Sequence, residues 1–402
     1  MLVGERNLFT NILKLLSGNG LAQAIQLFAL YFFSKLYSAE DFSSLSVAQS
    51  FGAIGAVVMT LQLHLLIPLS KDNDQARCRY VNVFQLSVIL FVFLLPIFLF
   101  LNEQLSFGWV IAFSISQINI ATLYFSFKED FSFISKFYIL RSLIIVVFQG
   151  GLYLTNVSDG LLIGAILGEL LLVILLIYKI GEFKLFPISK NIVNEVLYHR
   201  SFSLYGSVQE ILSIAAFYLP LYFLVYKYGE LVSGNYAVSS RLIWGPAVLV
   251  SSSVANVLYA KFGQWCNREI ATFLSDRKII MLAVPIIVTS ILIFKLDGLY
   301  LLLLGDEWTL GVKMFPWVIL WAMFFIMSTP YRILFRRLGK QKIQFKIELA
   351  SLVLFYPVLI FLNIDALSAL ICMCLFGIFQ QLLLAGVAFN FLRKSGSDRL
   401  YG

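Results

Sequence analysis

With 60% of its 402 residues hydrophobic and only 13% charged, the chain cannot be an ordinary soluble protein, in which about 25% of residues are charged. Its mean hydropathy of +0.88 and its 38 phenylalanines are those of a protein whose solvent is a bilayer. A net charge of +8 is not a nucleic-acid footprint here, because no basic stretch is interleaved with base-stacking aromatics on a polar surface.

A helix rising ~1.5 Å per residue crosses the hydrocarbon in about 20 residues. Apolar runs of that length are expected to form twelve spans, at 9–34, 43–68, 80–101, 107–126, 133–154, 158–180, 203–226, 235–258, 279–301, 312–331, 343–363 and 367–392. The start, MLVGERNLFTNILKLLSGNG, is not read as a cleavable signal: an acid sits beside its first arginine, and the apolar run outlasts signal-peptide length. Span 1 carries Asn19, Gln23 and Gln26 on one stripe, and span 2 carries Gln49, Gly52, Thr60 and His64. His64 is expected to be a hydrogen-bonded residue at a helix end. Span 3 (SVILFVFLLPIFLFL) is almost free of polar groups and is expected to face lipid. Arg141 is placed at the start of span 5, where snorkelling suffices. Glu169 lies near the middle of span 6.

The longest connection, KIGEFKLFPISKNIVNEVLYHR, follows span 6 and suggests two lobes of six spans, 1–181 and 203–402, joined by a linker at 182–202. In span 7, Ser203, Gly206, Ser207, Glu210 and Ser213 fall on one face. In span 8, Arg241, Gly245, Ser252 and Asn256 recur at helical spacing, with Pro246 expected to bend the helix. An arginine inside a span costs at least ~2.5 kcal/mol to insert, so such groups almost always face a bundle interior or water. Span 9 (MLAVPIIVTSILIF) is again nearly all apolar. Asp297, Asp306 and Glu307, in the stretch FKLDGLYLLLLGDEWTLGVK that begins within its end, read as solvated acids. The run RILFRRLGKQK at 332–342 is the densest basic stretch and is assigned to topology or to anionic lipid headgroups.

Of the 30 Lys and Arg residues, 25 fall at the chain ends and in the even-numbered loops with their adjoining helix ends, so both termini are expected in the cytoplasm. Cys78, Cys266, Cys372 and Cys374 offer no disulfide framework. The sequence lacks GxxxxGK, HExxH, CxxC and GxSxG, so no cofactor, no metal site and no enzymatic activity are expected. Weak internal matches join the halves: LLSGNGLAQAIQL (15–27) opens span 1 much as LYGSVQEILSIAA (204–216) opens span 7, a parallel pseudo-repeat. The fold class expected is therefore an all-α polytopic membrane protein of about twelve helices in two lobes.

Two stretches carry a resemblance. LLSGNGLAQAIQLFALYFFSKLYSAEDFSSLSVAQSF resembles the opening of the oligosaccharide flippase (polysaccharide transporter) family, whose pattern runs from an S-G pair to L-Y-S-x-E-D-F-G. GELVSGNYAVSSRLIWGPAVLVSSSVANVLYAKF is similar to that family's G-x-Y-A-x-x-x-R-L-x-x-x-P pattern, placing Gly234, Tyr236, Ala237, Arg241, Leu242 and Pro246 on it. Ser43 stands where the family usually has glycine. The resemblance implies the O-antigen flippase type within the multidrug, oligosaccharidyl-lipid and polysaccharide exporter superfamily. Such proteins move an undecaprenyl-diphosphate-linked oligosaccharide between leaflets by alternating access of two six-helix lobes.

On that basis Arg241 is expected to bind the diphosphate, and Asn19, Gln23, Gln26, Gln49 and Asn256 the sugar hydroxyls. Glu210 and Glu169 are the expected ion-coupling acids. Expected partners are the lipid-linked oligosaccharide and membrane lipid, with a polysaccharide polymerase and chain-length regulator in the same pathway. An ion-coupled multidrug exporter, and a membrane polymerase or glycosyltransferase, stay open as alternatives.

Overall fold

The computed structural model describes the backbone of residues 2–101, 103–181, 197, 203–204, 206–275, 304–305, 308–338 and 340–397. Most of these residues are helical, and no strand occurs among them. In chain order the helices are α1 (Leu2–Phe33), α2 (Ala39–Thr60), a 3-10 helix (Leu63–Leu69), α3 (Asn73–Leu101), α4 (Glu103–Phe127), α5 (Phe131–Leu154) and α6 (Gly160–Ile180). They continue with α7 (Gly206–Tyr228), α8 (Glu230–Gln264), α9 (Asn267–Ser275), α10 (Thr309–Arg337), α11 (Gln341–Phe361) and α12 (Ala366–Ser397).

Among the described residues, nine of these helices are long and apolar enough to cross a membrane. α1 and α8, at 32 and 35 residues, have the length as well. The expected ninth span (279–301) and nearly all of the linker at 182–202 lie outside the described residues.

The chain divides into two compact units, Met1–Tyr222 and Phe223–Gly402. In the first, α2 packs on α4, α1 on α5, α5 on α6 and α3 on α4. Small residues set these distances: a Cβ on Gly18 of α1 would lie 2.8 Å from the Cα of Ser135 on α5. α2 opens on a capping box, in which Asp41 N–H donates to Ser38 Oγ (3.3 Å) and Ser38 N–H donates to Asp41 Oδ2 (2.9 Å). Tyr37, just before it, donates from its hydroxyl to the Gln149 carbonyl of α5 at 2.7 Å.

The expected second span, 43–68, is not one helix. α2 stops at Thr60, because Leu61 (φ 46°) and Gln62 (φ 58°) take left-handed conformations, and a 3-10 helix follows. The apolarity of Leu63, Leu66 and Ile67 reflects burial against Tyr80, Val83, Ile120 and Tyr124 rather than contact with lipid. Arg79 Nη1 fastens this turn by donating to the Leu66 carbonyl at 2.6 Å. His64 is buried there, and its Nδ1 has no hydrogen-bond partner, contrary to the hydrogen-bonded role expected of it.

In the second unit α10 packs between α8 and α12. Gly311 N–H donates to Asn235 Oδ1 (2.8 Å), Ser239 donates to the Gly311 carbonyl (3.1 Å), and the Trp244 and Trp321 rings meet edge to face at 5.1 Å. The amphipathic α9 buries Ile270 and Leu274 against a cluster holding Phe262, Leu334 and Leu384. Lys227 Nζ, at the end of α7, donates to the carbonyls of Leu359 and Ile360 (both 3.1 Å) and of Leu362, satisfying acceptors that the end of α11 leaves open.

Large apolar side chains lie exposed along several helices: Phe93 and Phe100 on α3, Ile174 on α6, Leu354 and Phe361 on α11. On helices of this length and hydropathy that surface is a lipid face. Span 3 was expected to present one, and α3 does.

Candidate functional site

A cation inside a helix of this kind must have a reason to be there, so the arginines are taken first. Arg241 follows a run, Ser233 to Ser239, that is buried throughout. Asn235 and Ser239 of that run are tied to Gly311, so the first turns of α8 are fixed against α10 just before the arginine emerges half-buried. α8 continues through Pro246 as one helix. The proline lacks the N–H that would otherwise bond the Leu242 carbonyl, one residue past Arg241.

The residues expected to accompany it fall in both units. Asn19 and Gln23 are half-buried and Gln26 is exposed, all on one stripe of α1; Gln49 is half-buried on α2. Glu210 is exposed on α7. Asn256 lies on the backbone of α8, but its side chain, like that of Ser252, is outside the described residues. The sequence-expected set therefore divides into Asn19, Gln23, Gln26, Gln49, Glu169 and Glu210 in the first unit and Arg241 and Asn256 in the second.

Glu169 is a side chain of α6 with only 5% exposure, and it is not alone. Arg141 of α5 donates through Nε to both of its oxygens, at 3.0 and 3.1 Å, and through Nη2 to Oε1. Arg141 was expected at a helix start, yet α5 begins at Phe131 and places it ten residues in, ~15 Å along the axis. Snorkelling cannot reach water from there without leaving the carboxylate. Arg141 must also be taken out of the topogenic count. Two glycines bring the helices together: a Cβ on Gly164 would lie 2.7 Å from Gln149 Cα, and one on Gly168 3.0 Å from Ile145 Cα. This antiparallel register carries Arg141 to Glu169. A signal was present in the sequence, since an acid in the middle of span 6 calls for a base at matching depth on a neighbouring span.

A third arginine also departs from expectation. The first residue of the basic run, Arg332, turns into the protein rather than toward headgroups. Its Nη2 donates to Gln381 Oε1 on α12 at 2.8 Å, and its guanidinium lies over the Phe325 ring at 4.3 Å. Ser328 donates to the same Gln381 oxygen at 2.6 Å. Arg337 is drawn in as well, donating to Asn267 Oδ1 (3.0 Å) and the Trp265 carbonyl (2.5 Å). Charge density alone could not separate these two from the rest of the run.

No carboxylate, cysteine and histidine cluster of metal-binding size occurs among the described residues. The polar side chains on these helices are guanidinium, carboxylate and amide groups set in an apolar frame.

No protein-family model and no curated protein matches the chain. Solved structures do. The fold is similar to that of an inward-facing multidrug resistance MATE family transporter of the MOP superfamily, with a TM-score of 0.64 at 14% identity over 94% of this chain and 96% of that one. It is equally similar to the lipid II flippase MurJ in an inward closed conformation, with a TM-score of 0.64 at 14% identity over 96% of this chain and 90% of that one. A MATE structure in complex with MaL6 matches with a TM-score of 0.56 at 14% identity over 96% of this chain and 97% of that one. The chain thus has the two-lobe, twelve-helix fold of these transporters.

Proposed function

We propose that the protein is a flippase for undecaprenyl-diphosphate-linked oligosaccharide, an O-antigen or related repeat unit, carried from the cytoplasmic to the periplasmic leaflet by alternating access. It works in a bacterial inner membrane with both termini in the cytoplasm, and its lobes are 1–181 and 203–402 with a linker at 182–202. One observation carries the reading: Arg241, permanently charged, is held half-buried in a long helix of a fold shared with a lipid II flippase. A guanidinium matches phosphate oxygens two at a time, which a drug-sized cation would not require.

Asn19, Gln23, Gln26, Gln49 and Asn256 are assigned to sugar hydroxyls, while the polyprenyl tail stays in lipid. Glu210, which is exposed, and Glu169, which an ion would have to share with Arg141, are assigned to proton or sodium coupling. No cofactor is assigned. A polysaccharide polymerase and a chain-length regulator would take the product.

An ion-coupled multidrug exporter is the second reading, supported by the equal likeness to a MATE transporter. Substitution at Arg241 separates the two. Arg241→Ala is expected to insert at normal abundance, since removing a charge from a span eases insertion, yet to lose surface-polysaccharide export. Arg241→Lys is expected to keep part of the export and Arg241→Glu none. Undiminished export by Arg241→Ala would sink the flippase reading. Drug susceptibility that rises on deletion, with polysaccharide intact, would favour the exporter.

A further inference from the structure

The basic run at 332–342 does not meet the membrane as one block. Arg332 is bound to Gln381, and Arg337 to Asn267 and the Trp265 carbonyl, which leaves Lys340 and Lys342 as the fully exposed cations of the run among the described residues. Lys340 is the N-cap of α11, and Lys342 stands in its first turn. One turn farther on, Lys346 adds a third exposed cation. The Lys340 ammonium lies 6.0 Å from the Phe391 ring, and no carboxylate among the described residues pairs with any of the three. Glu348, the acid of the same helix, is on the far side from Lys346 and accepts from Gln344 at 3.0 Å.

The position of these lysines on the helix says what they face. Ile343 and Ile347 pack against the cluster that holds Leu334 and Leu384, and Lys342 and Lys346, each one residue earlier, are turned ~100° away from them. Continued at helical spacing, the lysine row runs through Ala350, Val353, Leu354, Val358 and Phe361, all exposed. The lysines therefore stand at the polar end of the lipid face of α11. A phospholipid lying there meets ammonium groups with its headgroup while its acyl chains follow the apolar stripe. α11 is also the least buried of the nine membrane-length helices. Its far end is tied to α7 through Lys227, so the near end, resting on Ile343 and Ile347, is where lipid has most to add.

We infer that Lys340, Lys342 and Lys346 form a docking surface for an anionic phospholipid, whose phosphate they grip at the end of the α11 lipid face. It rests on the membrane orientation proposed above and is independent of the cargo. A zwitterionic lipid brings a cation beside its phosphate, whereas an anionic one offers unopposed charge. Each lysine near an anionic lipid surface strengthens binding about fivefold, so three together give roughly a hundredfold. A lipid held there steadies α11 at the end opposite Lys227.

Native mass spectrometry of the purified full-length protein in detergent, titrated with dioleoyl phosphatidylglycerol or dioleoyl phosphatidylcholine, tests this by counting bound lipids and comparing affinities. At the tightest site phosphatidylglycerol is expected to bind roughly a hundredfold better. Lys340→Gln, Lys342→Gln, Lys346→Gln together should remove that margin, with phosphatidylcholine binding unchanged. Phosphatidylglycerol should also raise the melting temperature of the parent above its value in phosphatidylcholine, and should not do so for the triple variant. Arginine at the same three positions should keep both effects, because the charge is kept. Lys128→Gln, Lys136→Gln, Lys179→Gln removes the same charge from exposed lysines of the first unit and should leave the margin intact. If this second triple loses as much as the first, only general basicity is at work and the inference falls. It falls too if the first triple binds phosphatidylglycerol like the parent, or if soluble glycerol phosphate competes as well as the lipid does. Export is not measured in any arm, so the flippase reading stands or falls separately, on the Arg241 series.

Discussion

Arg141 in the first unit and Arg332 in the second are the same side chain under the same constraint, and the protein treats them differently. Arg141, ten residues into α5, is answered by the bidentate carboxylate of Glu169, whereas Arg332, five residues from the end of α10, is answered by a neutral amide and an aromatic face. Depth accounts for the difference. Far from water an uncompensated charge is prohibitive, so the deep arginine needs a full counter-charge; near a helix end the long side chain and solvent supply part of the compensation. A carboxylate cancels the charge, whereas an amide oxygen accepts a hydrogen bond without bringing a full counter-charge. The deep pair is thus suited to fixing how α5 sits on α6, and the shallow contact to holding α10 on α12.

Exchanging the two partner types is the strongest way to break this comparison. Glu169→Gln should give the deep arginine the partner that suffices for the shallow one, and it should fail there. Removing one member of a buried pair costs about 3–5 kcal/mol because the other charge is stranded. Membrane abundance of Glu169→Gln should therefore fall steeply, and Arg141→Gln, Glu169→Gln together should recover most of it. If Glu169→Gln is as abundant as the parent, depth does not decide the partner.

A smaller effect tests whether helix contact and ion pair are one device. Gly164→Leu places a side chain where Cβ alone would already sit 2.7 Å from the Gln149 backbone, so α5 and α6 must separate, at about 1–3 kcal/mol. Because the separation also draws Arg141 from Glu169, the loss should shrink in an Arg141→Met, Glu169→Leu background, where no pair remains to be pulled apart. Thermal melts of the four proteins in detergent measure the coupling. Additivity would mean that packing and pairing are independent.

Much of the fold was legible because the bilayer imposes one length on apolar helices, and the expected spans other than the second and ninth lie on single observed helices. Helix ends were less so: α3 begins seven residues before its apolar run, in the polar NDQARCR, since hydropathy does not mark where backbone hydrogen bonding starts. The break after Thr60 was not legible at all, because Leu61 and Gln62 adopt left-handed conformations without the glycine that usually signals them. The motifs that carried the family resemblance prove mostly architectural. Tyr37, Ser38, Asp41 and Phe42 seat and cap α2, and Gly234, Tyr236 and Ala237 are buried in α8, with Arg241 half-buried just beyond them. Arg141 and Arg332 were misplaced for one reason. Sequence ranks a cation by its distance from an assumed helix end, and a partner on another helix is invisible to that measure.

His64 sharpens the comparison from a third direction, since histidine has a way out that arginine lacks. It is buried beyond the end of α2, in the 3-10 helix, with no partner on Nδ1, and burial pushes its pKa down to about 4 from an ordinary 6.5. Instead of acquiring a carboxylate or an amide, this base stays neutral. The sign of the pH effect follows. The folded state binds the proton less readily than the unfolded chain, so the stability tied to neutral His64 is complete above pH 6.5 and is lost as pH falls from there toward about 4. At pH 7 the effect should be negligible, and by pH 5.5 it should reach on the order of 1 kcal/mol, less than the cost of separating α5 from α6 or of stranding Arg141. Melting the protein across this range should show acid destabilisation that His64→Phe reduces, because phenylalanine cannot titrate. An identical pH profile for His64→Phe would show that the histidine finds a partner for its proton. Neutrality would then cease to be the third solution, and the burial of an unanswered base would need another account.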